Sequence, residues 1–268
     1  MTGSSIGSLP GPQSNGAAPL PAPDIEGHVG FEGARIWYAA FGSGPPVIML
    51  HGALGNGDDW GNQVPALVEA GRRVILIDNR GRGRSTRGIL PLTYELMASE
   101  VVAVMDALEI ETASMVGWSD GAIIGLLLAK DYPGRVRRVF AFAGNMDLSG
   151  VKPQPTPSAD LSRAFDRAMR DYARLSDTPG EFKAMADEID RLMQTQPNYS
   201  AQELAQIDRP VTIVHAEHDE FILAEHAEYL ARTVPGARLI TLHGVSHFAP
   251  LQRPNEFNEA LKTFVQTG

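Results

Sequence analysis

The run Gly117-Trp118-Ser119-Asp120-Gly121 sets a serine between two glycines, directly after the apolar stretch Ala113 to Val116 and directly before a helical pattern over Asp120 to Asp131. A tight strand-to-helix turn of this kind pushes the serine Oγ into a cleft, and the flanking glycines keep the crowded turn free of side-chain clashes. The helix that opens there aims backbone N–H groups and the positive end of its dipole at whatever the serine attacks. A serine hydroxyl is a poor nucleophile near neutral pH, so chemistry at Ser119 needs a base to take its proton and a carboxylate to orient that base. His247, in the loop Gly244-Val245-Ser246-His247-Phe248 between the last strand and the last helix, is the natural base. Of the other histidines, His51 ends an earlier strand and reads as structural, His28 and His226 have no context, and His243 lies too near its strand's end.

The acid should follow a strand lying between the serine and the histidine, and His215-Ala216-Glu217-His218-Asp219-Glu220-Phe221 does so. Asp219 is the choice; Glu217 and Glu220 are close enough to be mistaken for it, and Asp147, after the preceding strand, is the outside candidate. His51-Gly52-Ala53-Leu54-Gly55 adds a fourth element at another strand end. There the N–H of Ala53 joins that of Asp120 in an oxyanion hole, each such donor being worth roughly a hundred- to a thousandfold in rate. His51 and Gly52 would hold that loop's shape. Trp118, Trp60, Leu54 and Phe221 are the side chains expected against a substrate.

Elements that could position these residues are written in the hydropathy. From Ile25 onward, short β-branched runs alternate with amphipathic stretches, the pattern of a mostly parallel sheet covered by helices. Strands are expected at Ala34 to Phe41, Val47 to Leu50, Val74 to Asp78, Ala113 to Gly117, Val136 to Ala143, Val211 to His215 and Arg238 to Leu242. Helices are expected at Trp60 to Glu69, Tyr94 to Leu108, Asp120 to Asp131, Ala224 to Thr233 and Asn255 to Val265. Between 145 and 208 the alternation gives way to helix, read as a lid that divides the core into 25–144 and 209–268. In it Leu161, Phe165 and Met169, then Phe182, Met185, Ile189 and Met193, form stripes at helical period that serve first as the lid's own core. Thr178 with Glu181, and Ser200 with Glu203, have the spacing of capping boxes.

Composition narrows the partners. A 268-residue chain of 43% hydrophobic and 21% charged residues is that of a globular protein with one substantial core. A formal charge of −9 repels phosphate backbones and anionic lipid, which argues against nucleic acid and membrane and for a small-molecule substrate. No stretch is apolar enough for a bilayer span, and residues 1–24, rich in Pro, Gly, Ser and Ala, read as a disordered leader. Zero cysteine removes disulfides and thiol chemistry but fits a cytosol and a periplasm equally; the expected address is cytoplasmic, with periplasm or secretion open if an export signal was removed. The protein is expected to act as a monomer or homodimer without a cofactor. His215-Ala216-Glu217-His218 lacks the His-Glu-x-x-His order and a third ligand, so no metal site is assigned. Arg80, Arg82 and Arg84 alternate with glycine, which reads as a tight loop anchored by surface charge rather than a phosphate loop, since no Lys-Ser or Lys-Thr follows.

In serine, acid, histidine order, together with the elbow and the His-Gly loop, the chain resembles the α/β-hydrolase superfamily from Ile25 to its carboxyl end. The resemblance implies a mostly parallel eight-stranded sheet flanked by helices, with the small helical lid inserted after the sixth strand. The Gly-Trp-Ser-Asp-Gly elbow and the loop Asp78 to Ser85 look like those of the biphenyl hydrolase-like (valacyclovir hydrolase type) and enol-lactone hydrolase esterases. That likeness implies hydrolysis of carboxylic esters or lactones through an acyl-enzyme. It gives Asp120 a second role, receiving a substrate ammonium, beside its role as compensating charge at a helix N-terminus. Ala122 stands where many relatives carry glycine, a change that narrows the pocket. Ser119 argues against the dehalogenases and epoxide hydrolases of this fold, which resemble one another in an aspartate at that position. Carbon–carbon bond hydrolases, perhydrolases and a triad-retaining ligand receptor with little turnover remain as alternatives on the same motifs.

Overall fold

In the computed structural model, residues 16–266 are described. Eight strands form one sheet: β1 (Ile25–Phe31), β2 (Ala34–Phe41), β3 (Pro46–Leu50), β4 (Arg73–Ile77), β5 (Ala113–Trp118), β6 (Val136–Phe142), β7 (Val211–His218) and β8 (Arg238–Ser246). Their spatial order is β1-β2-β4-β3-β5-β6-β7-β8, with β1 and β2 antiparallel and every pairing from β4 to β8 parallel. The helices are α1 (Gln63–Glu69), α2 (Tyr94–Ala107), α3 (Asp120–Asp131), α4 (Ala159–Leu175), α5 (Phe182–Thr195), α6 (Ala201–Leu204), α7 (Ala224–Thr233), α8 (Ala249–Gln252) and α9 (Pro254–Gln266).

The central strands β3 and β4 are near-continuous apolar runs, PVIML and RVILI, because both faces are covered. Successive residues of β3 and β4 therefore feed opposite cores. Ile48, Leu50, Ile75 and Ile77 pack with Val101 and Met105 of α2 and Ile124 and Leu127 of α3. Val47, Met49, Val74 and Leu76 pack with Leu67 of α1 and Phe257, Leu261 and Phe264 of α9. Strand β1 escaped the sequence pattern because it is an edge: IEGHVGF buries no residue fully, and pairing along the whole of β2 holds it. Strands β7 and β8 run three and four residues beyond their expected ends, pairing as far as His218 with Ser246. That extension matters, because it delivers Asp219 and His247 as the residues that follow two paired strand ends.

Residues 145–208 enter between β6 and β7 and carry α4, α5 and α6. Ser200 and Glu203 form the expected capping box, whereas Thr178 makes no side-chain cap, and Ser158 instead caps α4 by accepting from the Leu161 N–H at 2.9 Å. The α4 stripe is corrected too: Phe165 and Met169 are 46% and 40% exposed, and Ala168 and Tyr172 face inward in their place. On α5 Met185 and Ile189 are buried with Tyr172 and rest on Ala53 and Leu54, while Met193 is exposed. Of the stretch read as a disordered leader, residues 1–15 lie outside the described residues. Residues 16–24 are irregular chain laid on the core: Asn62 accepts from the Ala18 N–H, Leu20 joins the α1–α9 layer, and Asp24 accepts from the Gly42 N–H. Among the described residues no helix is long and apolar enough to cross a membrane.

Candidate active site

Ser119 follows β5 and precedes α3 with φ 56° and ψ −116°, a left-handed conformation that costs a β-carbon-bearing residue about 1–3 kcal/mol. The strain is held by the parallel sheet: the Ser119 N–H donates to the Phe142 carbonyl at 2.9 Å, and the Ser119 carbonyl accepts from Ala122. Both elbow glycines are obligatory on steric grounds. A Cβ on Gly117 would lie 2.2 Å from the Gly121 carbonyl oxygen, and one on Gly121 would lie 2.0 Å from that of Leu50. Ala122 is fully buried against Gly144 and so fills the elbow's floor, which corrects its expected effect on the pocket.

His247 Nδ1 lies 3.0 Å from both oxygens of Asp219. Asp219 Oδ1 also accepts from the N–H groups of Phe221 and Ile222 at 2.8 and 2.9 Å. Burial works to raise this carboxyl, but the imidazole and the two backbone donors outweigh it and hold Asp219 below the ordinary carboxylate value. With Nδ1 donating to a carboxylate, the imidazole presents Nε2 as its acceptor. The histidine is walled by rings: Phe221 at 4.7 Å between centroids, Phe248 at 5.6 Å, Trp118 at 6.2 Å and Phe142 at 6.5 Å. Trp118 precedes Ser119 in the chain and Phe142 accepts its N–H, so the rings that wall the imidazole also flank the serine. Among the described residues no hydrogen bond joins Ser119 Oγ to His247, a contact that commonly tightens only with substrate bound.

The loop after β3 is fixed by His51, whose Nδ1 donates to the Gly52 carbonyl at 2.7 Å while Nε2 accepts from the Asn79 N–H at 2.9 Å. Burial, then the nearby Arg82 cation, drive its pKa down to about 3, so the ring stays neutral. Gly52 lies against the serine, since a Cβ there would come within 3.3 Å of Ser119 Cβ. Neither the Ala53 nor the Asp120 N–H has a partner among the described residues, so both remain available to an oxyanion.

The other acids separate cleanly. Glu217 is exposed and accepts from the Gly244 N–H, Asp147 caps a turn and stands 3.9 Å from His226, and Glu220 is buried, accepting from the His247 N–H at 2.9 Å. Asp120 is 2% exposed and accepts from the Tyr94 hydroxyl at 3.0 Å; burial raises its carboxyl, offset in part by the Arg82 cation. Trp60 is corrected: it is wholly buried in the α1–α9 layer, against Trp118 and Phe257, and offers a substrate no surface. Leu54 is half-buried beneath α5 and Phe221 half-buried against the imidazole. The arginine loop is likewise corrected. Arg80 and Arg82 are internal, Arg80 pairing with Glu100 and donating to three carbonyls, while Arg84 stacks on Trp37 and bridges Asp58 and Asp78. Alternation with glycine looks the same whether a loop's arginines point out or in, so nothing in the spacing announced this. Tyr94 and Arg82 were missed for the same reason: their importance comes from where α2 and the β4 loop meet Asp120. A cavity of about 900 Å³ opens between residues 16–23 and the charged face of α4, and neither Ser119, Asp219 nor His247 lines it.

Comparison with known proteins agrees with the fold. A family model described as alpha/beta hydrolase fold matches residues 45–187. The serine hydrolase BPHL of Mus musculus is 27% identical over 265 residues, covering 95% of this chain and 91% of its own. The solved structure described as Est816, an N-acyl homoserine lactone degrading enzyme, superposes with a TM-score of 0.71 at 27% identity, covering 88% of this chain and 99% of that one. The enol-lactonase from Burkholderia xenovorans LB400 shares the fold with a TM-score of 0.71 at 21% identity, over 90% of this chain and all of its own.

Proposed function

The chain belongs to the alpha/beta hydrolase fold family, and from that premise we propose that it hydrolyses carboxylic esters or lactones with Ser119 as nucleophile, His247 as base and Asp219 as the orienting acid. The observation that carries this is a buried imidazole, its Nδ1 held by a carboxylate at 3.0 Å, beside a serine strained into an elbow. Ser119 Oγ bonds to the carbonyl carbon as its proton passes to His247 Nε2, and Asp219 stabilises the imidazolium. The oxyanion is taken by the N–H groups of Ala53 and Asp120. Collapse breaks the bond to the leaving oxygen, which receives the proton from Nε2, and water then releases the acyl group by the same route. The relatives named a serine hydrolase and a lactone degrading enzyme support this chemistry.

The helices of 145–208 serve as the lid, with Met185 and Ile189 over the Ala53-Leu54 loop supporting an apolar acyl or alcohol group. Asp120, already paired with Tyr94 and faced by the buried Arg82, supports an uncharged substrate better than an ammonium. The test is turnover of p-nitrophenyl esters of increasing acyl length by wild type and Ser119→Ala. Wild type is expected to show a chain-length optimum and the variant a loss of about 10³-fold or more. A variant rate near wild type would sink the assignment.

A further inference from the structure

The loops that carry the acid and the histidine are not self-supporting. Glu220 is 2% exposed, and its two oxygens reach in opposite directions: Oε2 accepts from the His247 N–H at 2.9 Å, and Oε1 accepts from Ser158 Oγ at 2.6 Å. Ser158 is the N-cap of α4. A second bridge repeats the plan one residue away. Gln252 Oε1 accepts from the Ser246 N–H at 2.8 Å, and Gln252 Nε2 donates to Asp160 Oδ2, in the first turn of α4, at 3.1 Å. The strand of chain leading into α4 holds the acid loop as well. The Lys152 N–H donates to the Phe221 carbonyl at 2.7 Å, the Thr156 N–H to the Glu220 carbonyl at 2.9 Å, and Lys152 Nζ to the Asp219 carbonyl.

Resting on the serine-hydrolase assignment for its kinetic readout, we infer that the N-terminal turn of α4 positions the general base: Ser158 through Glu220, and Asp160 through Gln252, set the backbone at Ser246 and His247. Placement of the imidazole thus depends on the inserted segment being docked. Glu220 and Gln252 are positioning residues, and none of the four side chains meets a substrate. The bridging role of Glu220 does not require its charge. A glutamine can accept from the His247 N–H with its oxygen while its amide donates to Ser158 Oγ, which then acts as acceptor.

The experiment measures kcat and KM for p-nitrophenyl butyrate across pH for wild type, Glu220→Ala, Glu220→Gln and Ser158→Ala. It is paired with one-dimensional proton NMR of the low-field Nδ1–H signal of His247. Glu220→Ala should lower kcat about 10- to 100-fold with KM little changed, the effect of a catalytic group displaced by a fraction of an ångström to an ångström. Ser158→Ala should lower kcat in the same sense by a smaller factor, although Ser158 lies outside the reacting atoms. Glu220→Gln should restore most of the rate with an unshifted pH profile. In Glu220→Ala and Ser158→Ala the Nδ1–H signal should exchange with water faster than in wild type. Wild-type kcat and unchanged proton exchange in both alanine variants would overturn the inference. So would a Glu220→Gln variant as slow as Glu220→Ala with its acid limb displaced, since charge rather than bridging would then be at work. If wild type turns over no ester, the functional assignment fails, and the proton-exchange comparison by itself decides this one.

Discussion

Replacing Asp219 by asparagine changes one atom and should remove most of the activity, for a reason the hydrogen bonds supply. Asp219 Oδ1 takes the N–H groups of Phe221 and Ile222, and both oxygens stand 3.0 Å from His247 Nδ1. An asparagine has one acceptor oxygen and one amide, and the two backbone donors require the oxygen at the Oδ1 position. The amide then falls at the Oδ2 position, donor against donor, unless the imidazole moves its proton from Nδ1 to Nε2. In that tautomer the nitrogen facing Ser119 is no longer a base. The expected loss in kcat is about 10³- to 10⁴-fold, which is about 4–5.5 kcal/mol of barrier at 1.36 kcal/mol per decade. The assay is kcat and KM on a short-chain p-nitrophenyl ester, with circular dichroism to establish that the variant is folded. Asp147→Asn and Glu217→Gln serve as comparators and should stay near wild type, because Asp147 faces His226 and Glu217 is exposed, accepting from the Gly244 N–H of β8. An Asp219→Asn enzyme within about tenfold of wild type, or a collapse in Asp147→Asn instead, would refute the reasoning.

Gly121→Ala drives a Cβ to 2.0 Å from the Leu50 carbonyl oxygen, and urea denaturation should find it destabilised by about 3 kcal/mol or more. Arg80→Met strands the buried Glu100 carboxyl and should cost about 3–5 kcal/mol. The double variant Arg80→Met/Glu100→Leu should recover only part of this, since Arg80 also satisfies the carbonyls of Phe31, Glu32 and Arg87. His51, with its folded pKa pushed down to about 3 from the ordinary imidazole value of 6.5, is a base held neutral in the fold. The unfolded chain therefore binds the extra proton, so its contribution to stability is present above pH 6.5 and is lost as pH falls from there toward 3. Urea midpoints should drop over that range, and His51→Asn should show a shallower drop; a slope unchanged in the variant would remove His51 as its source.

The sequence by itself determined most of the fold and its tight turns. Continuous apolar runs in β3 and β4 require a sheet covered on both faces, and the two glycines around Ser119, lacking a Cβ, let β5 turn tightly into α3. The order of Ser119, Asp219 and His247 along the chain follows from the strands that end beside them. Only the tertiary structure decided what those residues lean on. Trp60 reads the same as Trp118 in sequence, yet the packing of α1 on α9 buries one entirely and sets the other against the imidazole. Arg80 and Arg82 turn inward because Glu100 and Asp120 approach from α2 and α3, partners far away along the chain. Glu220, next to the acid in sequence, becomes a bridge because α4 brings Ser158 to it across 62 residues. Local pattern is set by neighbours a few residues apart, and it carries strands, turns and caps. The partner of a buried polar group is set by which elements happen to pack together, and no short window of sequence contains that information.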